Sequence, residues 1–232
     1  MGLGAPLRWL ENTYLKRHLT GRGVEIGALW RRFPVAPSSS VLYMDRAEIS
    51  DLKRQYQDVR QNIFMPNVIG DAADLPFAPG TLDFLIASHV LEHLPFPLAA
   101  LKDWHDALTP GGRLLIRVPD KRYTFDCHRQ RTSLSHFVAE YERPELTDWN
   151  AHYADWVENV DHRQPTPQEI IEGGEGLRTA RFNIHFHVWI AEDIMDVVEF
   201  TKSKMNLEWN PRVFWKGYPW RKEVTLLLIR GA

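Results

Sequence analysis

Cysteine is almost missing from this chain: Cys127 stands alone among 232 residues. That excludes an intrachain disulfide framework and a cysteine-built zinc site, and it fits a reducing, cytoplasmic setting. An excess of basic charge is also lacking. With 28 Lys+Arg against 30 Asp+Glu, the formal net charge is −2, and nucleic-acid partners, which require a strongly basic face, are not expected. No apolar run approaches the roughly 20 residues of a membrane helix. The first 19 residues are interrupted by Arg8, Glu11, Lys16, Arg17 and His18, so they are not read as a secretory signal. Their spacing of Leu7, Leu10, Tyr14 and Leu15 predicts an amphipathic helix over roughly 1–20, packed on the domain rather than lying on a membrane. Repeats and low-complexity tracts are absent. What remains is 44% hydrophobic and 25% charged, a length and composition that suit a single α/β domain over 1–232 with a core needing no staples.

The first half alternates short apolar strands with helix-like segments. Strands are expected at 24–27, 40–45, 67–71, 83–88 and 113–119, and helices at 49–56 and 94–108, the latter bounded by Pro95 and Pro97 and by Pro110-Gly111-Gly112. This order predicts a doubly wound, mostly parallel sheet covered on both faces. After Asp120 the pattern loosens. Residues 121–182, rich in Arg, His, Trp and Tyr, read as an insertion or cap, helical near 133–141 and 149–160 and ending in Pro165–Pro167 and Gly173–Gly176 punctuation. A helix at 191–202 and strands at 207–214 and 223–229, the final strand antiparallel, complete a Rossmann-like plan.

Ligands of open parallel sheets sit beyond the carboxyl ends of the strands. Those ends carry Glu25, Gly27 and Ala28, then Asp45, Asp71, Ser88 with His89, and Asp120. One such acid alone reads as a helix cap; the row together favours a polar ligand site. Asp45 lies eighteen positions past Gly27, the spacing of an acid that accepts hydrogen bonds from ribose hydroxyls. Yet the turn reads Gly27-Ala28-Leu29-Trp30 and lacks the further glycines that admit a pyrophosphate. A nucleoside ligand without pyrophosphate is therefore preferred, and S-adenosylmethionine qualifies.

The chain resembles the class I S-adenosylmethionine-dependent methyltransferases of the type 11 kind. The resemblance runs from about Gly23 to Pro119, through Val24-Glu25-Ile26-Gly27-Ala28, Tyr43-Met44-Asp45, Gly70-Asp71-Ala72-Ala73-Asp74-Leu75-Pro76-Phe77, Asp83-Phe84-Leu85-Ile86-Ala87-Ser88-His89-Val90-Leu91-Glu92-His93 and Leu108-Thr109-Pro110-Gly111-Gly112. Beyond it, Val118 to Asp126 and Ile184-His185-Phe186-His187-Val188-Trp189 look like a bacterial subgroup associated with surface glycans. The resemblance implies that Glu25, Gly27 and Ala28 hold the methionine end of the cofactor, with Arg46 as a possible helper. It implies that Asp45 binds the ribose, that Asp71 and the Ala72 amide read the adenine, and that Ser88 and His89 border the methionine.

His89-Val90-Leu91-Glu92-His93 also matches the H-x-x-E-H zinc-protease pattern, but it directly follows a strand in methyltransferase order, so Glu92 and His93 read as structural. His185 and His187 stand two apart, and an extended backbone would turn them to one face. They read first as structural or substrate-contacting groups, second as a base and third as metal ligands; no metal is expected. Of the cations Lys121, Arg122, Arg129, Arg131, Arg163, Arg178 and Arg181, set among Trp149, Tyr153 and Trp156, most read as a solvated face. Lys121 and Arg122, with Tyr123, follow the fifth strand and are the substrate-binding candidates. Methyl transfer needs an acceptor oxygen or nitrogen held in line with the S–CH₃ bond, and a hydroxyl acceptor also needs a base. The expectation is O-methylation of a small-molecule or carbohydrate acceptor, with Asp120, His89 and His185 or His187 as base or orienting groups. The alternatives are a non-catalytic binding protein of the same fold and, less favoured, an NAD-dependent oxidoreductase.

Overall fold

The computed structural model describes residues 4–160 and 164–232, with side chains from residue 8 onward. Helix α1 (Gly4–Leu15) leads into β1 (Arg22–Ile26), β2 (Ser40–Asp45), α2 (Ile49–Gln55), β3 (Val68–Ile69), β4 (Leu82–Ser88), α3 (Pro97–Ala107) and β5 (Leu108–Pro119). The insertion supplies α4 (Leu134–Glu142), α5 (Trp149–Val160) and α6 (Pro167–Thr179); α7 (Ala191–Lys204), β6 (Trp209–Trp215) and β7 (Glu223–Arg230) follow. The strands form a seven-stranded sheet in the order β3-β2-β1-β4-β5-β7-β6. β1 to β5 pair in parallel, and β7 is antiparallel to both β5 and β6. The expected Rossmann-like α/β plan with an antiparallel final strand is therefore the observed one.

Strand alternation sorts the core onto two faces. Leu85 and Ala87 of β4, Leu114, Ile116 and Val118 of β5, and Leu226 and Leu228 of β7 pack beneath Trp104 of α3 and Ile194 and Val198 of α7. Phe84, Ile86, Leu115 and Leu227 face the other way, onto Leu15, Leu19 and Phe33. β1 lies close against β4: a Cβ on Gly23 would stand 2.3 Å from Phe84 Cε2.

Several boundaries differ from expectation for physical reasons. The third strand keeps only two residues because the chain turns at Asp71, whose Oδ1 accepts from the Ala73 amide at 2.8 Å. The helix expected from Leu94 begins at Pro97, after a 3₁₀ turn at Leu91–His93. The glycines read as punctuation lie inside α6. Thr166 and Glu169 form a capping box at its start, and a Cβ on Gly174 would be 3.3 Å from the Ala154 amide. Gly173 and Gly174 let α6 approach α5 rather than ending a helix. α1 packs on the domain through buried Leu15, while Leu10 is exposed and polar groups add to the contact: Arg8 pairs with Glu223, Glu11 with Arg221 at 2.9 Å, and Asn12 accepts from Arg117 at 3.0 Å.

Candidate active site

The carboxyl ends of β1, β2, β3 and β4 meet along one rim, as the parallel register requires. At the β1 end, Gly27 turns with φ +66°, and its amide donates to Met44 O at 2.9 Å. The next residues are folded inward by Glu25. This buried carboxylate accepts the Phe33 amide on both oxygens, at 2.9 and 3.0 Å, and burial raises its pKa to about 7. Glu25 thus shapes the turn from behind, leaving backbone of Gly27 and Ala28 at the rim. Asp45 ends β2; one oxygen accepts the Arg46 amide at 2.8 Å, and burial raises its pKa. The Arg46 guanidinium is occupied by Gln55. The Asp71 carboxylate is exposed, and Ala72 O accepts from Trp104 Nε1 at 2.7 Å. Gly27, Ala28, Asp45, Asp71 and Ala72 therefore share a rim, and a Cβ on Gly27 would come within 3.2 Å of Val90. Such a cradle fits an adenosyl cofactor through its sugar and base acceptors.

Ser88 closes β4, and His89 follows in the left-handed conformation at φ +57°. This strained turn, fixed by the His89 amide donating to Arg117 O at 2.8 Å, sets the half-exposed imidazole between Glu92 (Nδ1 to Oε1, 3.2 Å) and Glu223 (Nε2 to Oε1, 3.4 Å). Desolvation lowers the imidazole's pKa, but the two carboxylates outweigh it and lift the value to about 9. His89 is thus held as an imidazolium near neutral pH, an orienting charge more than a base.

Asp120 is fully buried and accepts from Arg122 Nε at 2.9 Å, Arg122 Nη2 at 2.6 Å and the Arg122 amide at 3.2 Å. Arg122, itself exposed, is held by this pairing and lies 5.3 Å over the Tyr123 ring. Lys121 is buried and donates to Cys127 O at 2.8 Å. Both candidate substrate cations are thereby engaged within the protein.

Residues 184–189 belong to no strand or helix, and the two histidines join different groups. His185 Nδ1 meets Asp126 Oδ2 at 2.7 Å, and Arg129 donates to Asp126 Oδ1 at 3.0 Å. His187 is fully enclosed; its Nε2 donates to Pro95 O at 3.0 Å, and burial lowers its pKa to about 3. It lies among His136, His152 and Glu140 and ties α4 and α5 to this segment. Among the insertion cations, Arg129 is buried against Asp126 and Asp155, Arg131 pairs with Asp193 at 2.9 Å and Arg178 donates to Asn150 at 2.7 Å. Arg163 lies outside the described residues. Trp149 and Tyr153 pack on Phe186, and Trp156 packs on Phe125 and His185. A cavity of about 660 Å³ between α5 and α6, lined by Trp156, Val157, Leu177 and Phe182, includes no strand-tip residue.

Sequence reasoning missed Asp126 and Glu223 and gave Glu92 only a structural role. Asp126 and Glu223 are brought in from far along the chain. Glu92 carried a signal, the fixed spacing of His89-x-x-Glu92-His93.

Residues 20–116 match the family model described as "Methyltransferase domain". An uncharacterized 37.1 kDa protein in a transposon of Streptomyces fradiae is 32% identical over 101 residues, which is 43% of this chain and 28% of that protein. The match thus spans little more than a quarter of the curated relative. Among solved structures, a putative Zn-dependent alcohol dehydrogenase from Rhodobacter sphaeroides has a TM-score of 0.59 at 16% identity, covering 96% of this chain and 90% of that one. The N-methyltransferase NodS of Bradyrhizobium japonicum has a TM-score of 0.50 at 14% identity, covering 98% of each chain. At these identities both likenesses speak to the fold alone.

Proposed function

For a chain whose residues 20–116 match a methyltransferase-domain model, we propose a class I S-adenosylmethionine-dependent methyltransferase that transfers the cofactor's methyl group to a hydroxyl of a small-molecule or glycan acceptor, at the tips of β4 and β5. The backbone of Gly27 and Ala28 receives the methionine end, Asp45 the ribose and Asp71 with Ala72 the adenine. The bound cofactor supplies an activated methyl on a sulfonium; the protein's work is positioning and proton handling.

The observation that carries the hydroxyl reading is the His185–Asp126 pair beside buried Glu92. A carboxylate that fixes one ring nitrogen of an imidazole leaves the other directed for use. Of the four catalytic candidates, His185 is the one so arranged. His89 is charged, Asp120 is bound by Arg122, and His187 is enclosed.

The strand order supports this reading over a nicotinamide oxidoreductase. In the dinucleotide fold a sixth parallel strand follows the fifth, whereas here antiparallel β7 takes that place. The test is a panel of hydroxyl and amine acceptors incubated with methyl-labelled cofactor, alongside calorimetric titration with S-adenosylmethionine and NAD. Binding of the sulfonium and label in a base-stable ether are expected. Binding of NAD instead, or label confined to amines, overturns the reading.

A further inference from the structure

Beyond the tip of β4, the 3₁₀ turn places Glu92 and His93 side by side, and His185 reaches them from 92 or more positions away. Glu92 is wholly buried; its Oε1 faces the His89 imidazole Nδ1 at 3.2 Å, while among the described residues no hydrogen bond reaches Oε2. One ion-pair contact leaves the second oxygen of this buried carboxylate unsatisfied, an arrangement that a further cation would relieve. The two imidazole rings pack edge to face with centroids 4.7 Å apart. His93 Nδ1 bonds to Ile184 O at 2.8 Å, and since a carbonyl can only accept, the proton sits on Nδ1 and the lone pair on Nε2. His185 Nδ1 is likewise committed to Asp126 at 2.7 Å, leaving Nε2. One donor atom from each of the three residues lies within 4.8 Å of the others, a spread that modest side-chain rotation closes onto bonds of about 2.1 Å.

We propose that Glu92, His93 and His185 form a binding site for a divalent transition-metal cation. Two imidazole nitrogens and one carboxylate suit Zn²⁺, Fe²⁺, Mn²⁺ or Co²⁺ better than Mg²⁺ or Ca²⁺. The outer contacts have the form expected of metal-bound histidines, each ring passing its second N–H to a carbonyl or carboxylate, with Arg129 in turn holding Asp126. The second histidine group, His136, His152 and His187, lacks this form. There His136 and His152 both spend Nε2 on Glu140, at 3.2 and 2.7 Å, and His187 spends Nε2 on Pro95 O.

Three protein ligands leave coordination positions open. If the chain methylates a hydroxyl, as proposed above, the acceptor class is an alcohol with a second oxygen close enough to chelate: a vicinal diol or a hydroxy acid. With a cation bound, His185 Nε2 would serve as its ligand rather than as a base: the cation would lower the hydroxyl pKa, the proton would leave to solvent, the oxygen would bond to the methyl carbon and the C–S bond would break, yielding the ether and a neutral thioether. This role rests on the methyltransferase reading; the site itself does not.

The experiment is titration of the chelator-stripped full-length protein with Co²⁺, followed by its d–d absorption, in the absence of cofactor and acceptor. One equivalent bound in the wild type is expected, with loss of that equivalent in Glu92→Gln and His93→Gln and its retention in His152→Gln. Asp126→Asn, which removes only the outer contact, should weaken Co²⁺ roughly 10–100-fold, and it stands in should a ligand variant not fold. No d–d band in the folded wild type, or a band unchanged in Glu92→Gln and Asp126→Asn, overturns the site. Asp45→Ala should keep Co²⁺ while losing S-adenosylmethionine. Failure of the metal site and failure of the cofactor reading are thereby told apart.

Discussion

Asp120 and Arg122 lock together at the end of β5, the guanidinium donating to both carboxylate oxygens at 2.9 and 2.6 Å. Both oxygens of this wholly buried carboxylate are spent on one guanidinium in a charge-assisted bidentate contact, so neither faces an acceptor. Asp120→Asn is therefore expected to lower stability by about 1–3 kcal/mol while leaving the shape of the kcat pH profile unchanged. Thermal unfolding and a pH–rate series check this; loss of the profile's acidic limb in the variant would restore Asp120 as the base.

Asp45 is expected to act on cofactor affinity alone. Removing a charged acceptor of ribose hydroxyls costs about 1.5–3 kcal/mol, so Asp45→Ala should weaken S-adenosylmethionine roughly 10–100-fold by calorimetry. Wild-type affinity in this variant would place the ribose elsewhere.

Glu25 should influence the same binding without touching the ligand. Glu25→Ala frees the Phe33 amide from both carboxylate oxygens, loosening the Gly27–Phe33 turn. Glu25→Gln retains one acceptor and should bind the cofactor more nearly like the wild type. Because burial raises the folded-state pKa to about 7 from 4.5, the folded protein holds a proton that the unfolded chain has released. This contribution to stability is full below about 4.5 and fades as pH rises through 7. The alanine variant should lose that slope in denaturation measured across the window.

His187 has the opposite sign for a histidine that gains a charged partner. Its pKa falls from 6.5 to about 3 on folding, so the unfolded chain takes up a proton that the enclosed ring refuses. Its contribution is present above about 6.5 and is lost as pH falls from there toward 3. In His187→Gln the difference in stability from wild type should shrink as pH drops through that range, measured by urea unfolding at matched pH.

Two glycines should respond in opposite directions. Gly23→Ala drives a methyl to 2.3 Å from the Phe84 ring, an overpacking worth about 1–3 kcal/mol. Gly176 lies within α6 with open space where a Cβ would stand, so Gly176→Ala should stabilise by about 0.4–1 kcal/mol. Differential scanning calorimetry of the pair reads both; a Gly23→Ala protein as stable as the wild type would mean that β1 and β4 can separate without cost.

Much of this molecule was written locally. Strand order, the glycine bend, and the acids at the strand tips follow from short apolar runs and their terminators, since a parallel strand and its loop occupy contiguous residues. The helix α6 was also legible in Thr166-x-x-Glu169, but its glycines masked it, because helical glycine is read as a breaker unless the neighbour it admits is known. Which histidine has a working partner was decided only by tertiary structure. Asp126, His185 and Glu92 come from three separate segments, and His89 and Glu223 from two. Proton ownership and unsatisfied charge are properties of distances between such segments, and no spacing along the chain encodes them.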